Sequence, residues 1–344
     1  MTRDDEAKAA AAHAAAWIDE AWKALEREDL AGAESACARA EAMSPELPDT
    51  LHLRGAVLEA RGDVDGALDL YRRAAAADPE FASPRLGAAG LLLDRGDDEG
   101  ALALADEAVT SAEGAERVEA LLVCAEIAAS RGDGKRTRAH LRSAAESATD
   151  SGQLFAAAEA LLDIGDSDAA EAALLRAREH GADEADVHHG LGMVAGARED
   201  HAAMVDHFLE VARLDRESPP TYRLSEDEFD ACAERALAEL PDPVIELLEN
   251  VPVLIDDGPS DDLIREGLEP RLLGLFTGIP LPHKSHVGGG ETPHIDAVHL
   301  FRRNLERRFR DPDELVEQIR ITVLHETAHF FGLEDDDLER LGLG

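Results

Sequence analysis

The 344-residue chain is strongly acidic, with 74 Asp and Glu residues against 34 Lys and Arg residues and a formal net charge of −40 at pH 7. This excess argues against nucleic acids and anionic membranes as partners, because their phosphates would be repelled. Basic peptides and proteins are more natural partners, although the charge also fits a solvated surface that aids solubility. The length allows two or three domains, each with its own core.

The first residues and the cysteines indicate in which cellular compartment the protein is located. Residues 1–6 lack the cationic start and following apolar run of a signal peptide. No stretch of the sequence approaches the length of a membrane span, which needs about 18 to 20 apolar residues. Cys37, Cys124 and Cys232 are far apart and form no spaced metal or disulfide pattern. We therefore expect a cytoplasmic protein with reduced thiols.

Residues 14–217 are rich in Ala and Leu and repeat at an interval close to 34 residues. The clearest unit runs from Pro48 to Phe81, with its small and aromatic residues at Gly55, Gly62, Ala67, Tyr71, Ala74 and Pro79. A shift of 34 residues recovers Ala33, Ala40 and Pro45 before it and Gly96, Ala101 and Ala108 after it. The unit resembles the tetratricopeptide repeat, a 34-residue helical hairpin, and departs from it in carrying Arg54 where a leucine is usual. We expect five or six such repeats.

Small residues at these positions let the two helices of a hairpin approach closely, while larger residues fill the space to the next hairpin. Stacked hairpins form an α-solenoid whose concave face suits peptides or protein segments. The sequence therefore predicts a mainly α-helical chain with a repeat domain over residues 1–217 and a protein partner on its concave face.

Residues 218–221 break the helical pattern, since paired prolines cannot continue a helix, and we place a second domain at residues 222–344. There, Ser225 and Glu228 form a capping box for a first helix, and a short helix follows over residues 242–250. Apolar runs predict strands at residues 251–255, 272–276 and 297–301. Asp311 and Gly332 mark the start and end of the last helix. A small sheet against this helix gives an α+β domain.

The last helix carries His325, Glu326 and His329 in an H-E-x-x-H pattern. Two histidines four residues apart project from one helix face and suit a single small cation, for which we expect Zn²⁺. Glu326 is placed to hold a water molecule, remove its proton and later protonate a leaving amine. The pattern therefore predicts peptide hydrolysis with Glu326 as general base.

A third protein ligand is required, and several side chains compete for the role. Gly332 in a left-handed conformation would turn the chain sharply, so that a residue about three positions on returns to the metal. The candidates there are Glu334, Asp335, Asp336 and Asp337. Residues 282–294 contain three histidines, but their run of three glycines cannot preorganise ligands well, and we interpret this segment as a loop beside the cleft. We expect His299, between strand residues, to be a surface or packing histidine rather than a metal ligand.

The C-terminal part resembles the small bacterial zincin-like metallopeptidases, which carry an H-E-x-x-H-x-x-G-x-x-D motif. The likeness extends over roughly the last 120 residues and includes the segments at residues 224–229, 236–241, 250–253, 273–281 and 300–306. This resemblance implies a zincin-like domain with zinc on His325, His329 and Asp335 and the general base on Glu326. The domain departs from the metzincins because the chain has no methionine after Met204 to form their Met-turn.

The sequence thus predicts a zinc-dependent metallopeptidase that hydrolyses peptide bonds, with tetratricopeptide repeats that dock a protein partner or substrate. The alternative is a non-catalytic repeat scaffold whose zincin-like domain binds zinc structurally or is inactive. A third alternative is hydrolysis of a small amide substrate, but no residue pattern indicates a small-molecule pocket.

Overall fold

A computed structural model of the chain describes residues 3–219, 222–240, 245, 248, 251–278 and 296–333. It divides into two compact units, residues 1–183 and residues 184–344. The domain limits predicted at residues 217 and 222 remain a prediction. In the described ranges, no helix is both long enough and apolar enough to cross a membrane.

The first unit consists of ten helices that pair in sequence order as five antiparallel hairpins, with the pairs α1–α2, α3–α4, α5–α6, α7–α8 and α9–α10. The helices are α1 Arg3–Glu26, α2 Leu30–Met43, α3 Pro48–Ala60, α4 Val64–Ala77, α5 Ser83–Asp94, α6 Asp98–Ser111, α7 Gly114–Ser130, α8 Gly134–Ser147, α9 Ser151–Asp163 and α10 Ser167–Glu179. The predicted helical-repeat solenoid is confirmed.

Close helix contact within a hairpin depends on glycine. A Cβ atom added to Gly55 of α3 would lie 2.5 Å from the ring of Tyr71 on α4, so only a residue without a side chain lets this ring pack. Between the two helices, Gly62 has a φ of +80°, the left-handed conformation that lets the chain reverse. The predicted role of small residues is thus confirmed in this hairpin.

Aspartate caps the second helix of most repeats. Asp29, Asp63, Asp97, Asp133 and Asp200 each accept a hydrogen bond from the backbone N–H three residues on. Such a cap stabilises a helix start by about 1 kcal/mol. Asp166, at the fifth of these six positions, instead binds the guanidinium of Arg142 at 2.7 Å. The recurrence of aspartate near every 34th residue therefore marks where each second helix begins.

The second unit opens with a sixth hairpin and continues into the α+β part. Its helices are α11 Glu184–Ala197, α12 His201–Glu217, α13 Glu226–Ala238, α14 Asp261–Arg265, α15 Arg302–Arg308 and α16 Pro312–Phe330. Its strands are β1 Val253–Asp256, β2 Gly274–Thr277 and β3 Ala297–Phe301. In the described sheet the order is β1-β3-β2, with β1 parallel and β2 antiparallel to β3. The three predicted strands and the capped last helix are confirmed; most of the helix predicted over residues 242–250 lies outside the described residues.

The α+β part has its core between the sheet and helices α13 and α16. Phe229 and Cys232 of α13 pack with Val298 and Leu300 of β3, and α16 contributes residues at helical spacing, namely Leu315, Ile319 and Val323. All seven side chains are at most 6% exposed. This packing holds the two helices firmly against one face of the sheet.

An ion cluster joins the sixth hairpin to the α+β part. Arg271, before β2, contacts Asp186 of α11 at 2.7 Å and Asp215 of α12 at 3.1 Å. Arg307 of α15 contacts the same two carboxylates, at 3.0 Å in the case of Asp186. Burial lowers the pKa of Arg271, but its bonds to Asp215 and Asp186 outweigh this effect and raise it. The sixth hairpin therefore shares its charged contacts with the α+β part.

Candidate metal centre

Local signals place the H-E-x-x-H residues on the last turns of α16. Asp311 caps the helix by accepting hydrogen bonds from the N–H groups of Asp313 and Glu314, both at 3.0 Å. At the other end, Gly332 has a φ of +78° and its N–H donates to the carbonyl of His329 at 2.9 Å. The predicted glycine stop is confirmed, and it reverses the chain directly after the second histidine.

The two histidines converge as their spacing predicts. Nε2 of His325 and Nε2 of His329 lie 3.0 Å apart, with the ring planes at 78° to each other. Two nitrogen ligands bound tetrahedrally to zinc at about 2.0–2.1 Å would lie about 3.3 Å apart. The pair therefore fits one zinc ion with a small outward movement of either ring.

The turn at Gly332 also orients the second histidine. Nδ1 of His329 lies 2.9 Å from the backbone oxygen of Leu333, so this nitrogen carries the proton and donates. The tautomer with its proton on Nδ1 presents the lone pair of Nε2 toward His325. A carbonyl that holds the far side of a histidine is the usual partner that fixes a metal-binding ring.

Glu326 points from the same helix toward the sheet. Its side chain is buried, and Oε2 accepts a hydrogen bond from the backbone N–H of Phe276 in β2 at 2.7 Å. Gly274 makes this approach possible, since a Cβ atom there would lie 2.9 Å from Cγ of Glu326 and 2.7 Å from Cγ2 of Thr322. Neither Gly274 nor Phe276 could be assigned to the site from sequence, because only strand pairing brings them beneath the helix.

The remaining predicted residues divide into two groups. Asp335, its competitors Glu334, Asp336 and Asp337, and the histidine-containing loop at residues 282–294 lie outside the described residues. His299 is described: its Nδ1 lies 3.1 Å from Oδ2 of Asp256, and its Nε2 lies 3.2 Å from Oγ1 of Thr277. These contacts occupy both ring nitrogens and link β3 to its two neighbours, as expected of a packing histidine.

The repeats contain a second group of metal-binding residue types. Asp106, Cys124 and His140, from α6, α7 and α8, place one ligand atom each within 4.8 Å of one another. Burial, with the nearby carboxylate of Asp106, raises the pKa of the Cys124 thiol to about 12. A protonated thiol packed in the core accounts for Cys124, and the spacings of 18 and 16 residues are those of successive repeat helices.

Comparison with known protein families finds two matches in this chain. Residues 248–344 match the zincin-like metallopeptidase family and residues 58–123 match a tetratricopeptide repeat family, in the order predicted. No curated protein matches this chain.

Several solved structures are similar to part of this chain. They include pilF of Pseudomonas aeruginosa, with 17% identity, 63% of this chain and 95% of that chain covered, and a TM-score of 0.43. YrrB, described as a tetratricopeptide repeat protein with an unusual peptide-binding site, has 16% identity and a TM-score of 0.37. The match covers 53% of this chain and 93% of that chain. TTC0263, a tetratricopeptide repeat protein of Thermus thermophilus, has 19% identity and a TM-score of 0.41. The match covers 54% of this chain and 99% of that chain.

Proposed function

We propose that this protein is a zinc-dependent metallopeptidase whose repeats dock a protein partner or substrate. One observation carries the proposal: two histidine Nε2 atoms lie 3.0 Å apart on the helix that also carries the buried carboxylate of Glu326. The family match over residues 248–344 supports the same chemistry.

The protein's own residues divide the work. His325 and His329 would hold zinc, with Asp335 as the third ligand after the turn at Gly332. When bound, zinc lowers the pKa of water to about 7 and polarises a carbonyl group. Glu326 would take the proton from the attacking water and pass it to the leaving amine, so that one carboxylate serves as base and then as acid.

The surroundings of Glu326 suit this role. The hydrogen bond from Phe276 N–H fixes Oε2, and the packing of Cγ over Gly274 fixes the rest of the side chain. A carboxylate held in this way loses little freedom when it meets a substrate, which is the benefit of a preorganised site. The N–H group that orients Glu326 and the carbonyl that orients His329 both come from the backbone, so no further side chain is needed for either task.

The repeats would supply recognition. Tetratricopeptide repeats present a concave face to peptides or protein segments, and we place the partner there. With a net charge of −40, this chain favours a basic peptide over a nucleic acid or an anionic membrane. A cytoplasmic location is part of the same proposal.

Substitution of the base tests the proposal. Glu326→Gln should retain zinc and lose peptide hydrolysis, measured with zinc-loaded protein on a library of unstructured peptides read by mass spectrometry. Cleavage by the wild type and not by the variant supports the peptidase. If the zinc-loaded wild type cleaves nothing in that library, the non-catalytic scaffold becomes the better description.

A further inference from the structure

A groove of about 750 Å³ lies between α13 and β1, at the edge of the sheet opposite to β2. Its strand side is formed by residues 253–257, with Leu254 42% exposed. Its helix side is formed by Glu226, Asp230 and Glu234 together with Leu237. The chemistry assigned to Glu326 uses β2, so this groove has no part in it.

The strand side offers unused backbone groups. The carbonyl of Pro252 accepts from the N–H of Val298, which directs the backbone groups of Pro252 and Leu254 toward β3. Alternation along a strand then directs the N–H and C=O groups of Val253 and Ile255 away from β3, into the groove. Within the described sheet β1 has no neighbour on that side. An edge of this kind can take up a further strand.

The helix side carries a row of negative charge. Glu226, Asp230 and Glu234 are exposed and follow one another at intervals of four residues, so they share one face of α13. Like charges at this spacing destabilise a helix by a few tenths of a kcal/mol per pair. The row therefore favours a positively charged occupant.

The cation that lines the groove is already engaged. Nε of Arg302 lies 3.3 Å from Oε1 of Glu306, its Nη2 donates to the carbonyl of Leu224 at 2.6 Å, and its guanidinium stacks 4.1 Å above the ring of Tyr222. Arg302 thus neutralises Glu306 and leaves the row on α13 without a counter-charge from the lining residues.

We propose that this groove binds an extended protein segment as an additional strand beside β1, with Lys or Arg at alternate positions facing α13. Successive carboxylates on α13 are about 6 Å apart along the helix axis. Alternate residues of a strand are about 6.7 Å apart, so a segment that runs along α13 can pair its basic residues with the carboxylates. The intervening residues face the side of Leu254 and are apolar.

The charge pattern selects this occupant over a second copy of the chain. Two copies joined edge to edge through β1 would bring two rows of carboxylates together, at a cost in repulsion. An acidic or neutral strand would gain the backbone hydrogen bonds but no ion pairs. Docking in this groove does not depend on whether the centre on α16 is catalytic.

Binding of a fluorescent eight-residue peptide of alternating Lys and Val to the full chain tests the proposal. Asp230→Lys should weaken binding at least tenfold, because it places a cation in the middle of the row. The matched control is Glu266→Lys, which makes the same charge change at an exposed residue outside the groove. An equal loss of peptide binding in both variants would show that the peptide is held only by general attraction to the acidic chain. This result would overturn the proposal.

Backbone pairing is tested separately. The peptide is N-methylated at every Val in one version and at every Lys in another, and strand addition requires that at least one version lose binding at least tenfold. Amide exchange at Val253 and Ile255 should slow when the unmodified peptide is bound. Full binding by both methylated versions, or unchanged exchange at both amides, would overturn strand addition.

Discussion

Oε2 of Glu326 accepts a hydrogen bond from the backbone N–H of Phe276 at 2.7 Å, which ties the carboxylate of α16 to strand β2. β2 is the edge of the described sheet beside the histidine pair, and the donor points away from its partner β3. The backbone of one strand therefore sets the orientation of the side chain assigned as general base.

Removal of this donor should slow peptide hydrolysis while zinc remains bound. Phe276→Pro deletes the N–H, and proline is tolerated at an outward-facing position of an edge strand. Loss of a partner that orients a catalytic group typically costs about 10- to 100-fold in activity. Phe276→Ala is the control, since it keeps the N–H and loses only the ring that packs on Phe330. Equal kcat values in the two variants would show that the hydrogen bond does not matter.

Close packing at Gly274 should make that position intolerant of a side chain. The Cβ of Gly274→Ala would lie 2.7 Å from Cγ2 of Thr322 and 2.9 Å from Cγ of Glu326, so β2 or α16 must move. Overpacking of this kind costs about 1–3 kcal/mol of unfolding free energy. Gly258→Ala is the matched control, because its nearest neighbour, Nδ2 of Asn304, is 4.0 Å away. Denaturant unfolding of both variants gives the comparison, and equal stabilities would contradict the packing described.

The sixth hairpin should be needed for stability of the α+β part. A fragment of residues 184–344 retains the carboxylates of Asp186 and Asp215, whereas residues 222–344 leave Arg271 without them. Arg271 and Asp215 are largely shielded from solvent, so a charge left there without its partner destabilises the fold. We expect a cooperative thermal transition, followed by circular dichroism, from the longer fragment and not from the shorter one.

A point variant gives the same information in the full chain. Asp215→Ala should lower the melting temperature of the second unit, while Asp206→Ala, an exposed carboxylate on the same helix, should not. Equal melting temperatures for the two variants would mean that the ion cluster contributes nothing to the stability of the second unit. The domain boundary predicted near residue 217 would then be adequate.

Acidification should weaken the first repeats through His52. This ring packs among Trp22, Tyr71 and Phe81, and burial lowers its pKa to about 4. In the unfolded chain it would protonate near its ordinary pKa of 6.5, so below that pH the unfolded state binds more protons than the folded state. The stability contribution is complete above pH 6.5 and falls by about 3 kcal/mol as the pH drops to about 4.

Replacement of the ring isolates this effect from that of other groups. His52→Phe keeps an aromatic side chain and removes the titration, so its unfolding free energy should change less than that of the wild type between pH 6.5 and about 4. Parallel pH profiles for the two proteins would show that the buried ring is not the source of acid sensitivity.

Local signals explain which parts of the fold could be predicted. The limits of α16 follow from Asp311 and Gly332, and the hairpin of α3 and α4 follows from Gly55, Gly62 and Tyr71, because each acts within a few residues or one repeat. The recurrence of aspartate at the N-caps carried the same information and could have fixed the start of every second helix.

Non-local contacts explain what could not be predicted. The sequence identifies Glu326 but not its donor, since the bond from Phe276 depends on how β2 pairs with β3. It predicts five or six repeats, yet the repeat pattern does not reveal that Asp186 and Asp215 contact Arg271 far along the chain. The assignment of Asp335 rests on the family motif and the turn at Gly332, and it remains a prediction.

The zinc content of the purified protein tests the central claim most directly. Elemental analysis of wild type, His329→Ala and Asp335→Ala, prepared without chelator or metal-affinity resin, should give about one zinc per chain for the wild type. His329→Ala should hold no zinc, because it lacks one of the two converging Nε2 atoms. Asp335→Ala should bind zinc more weakly, because it lacks the proposed third ligand. A wild type that binds no zinc even after dialysis against it, or a His329→Ala variant with the full amount, would contradict the account.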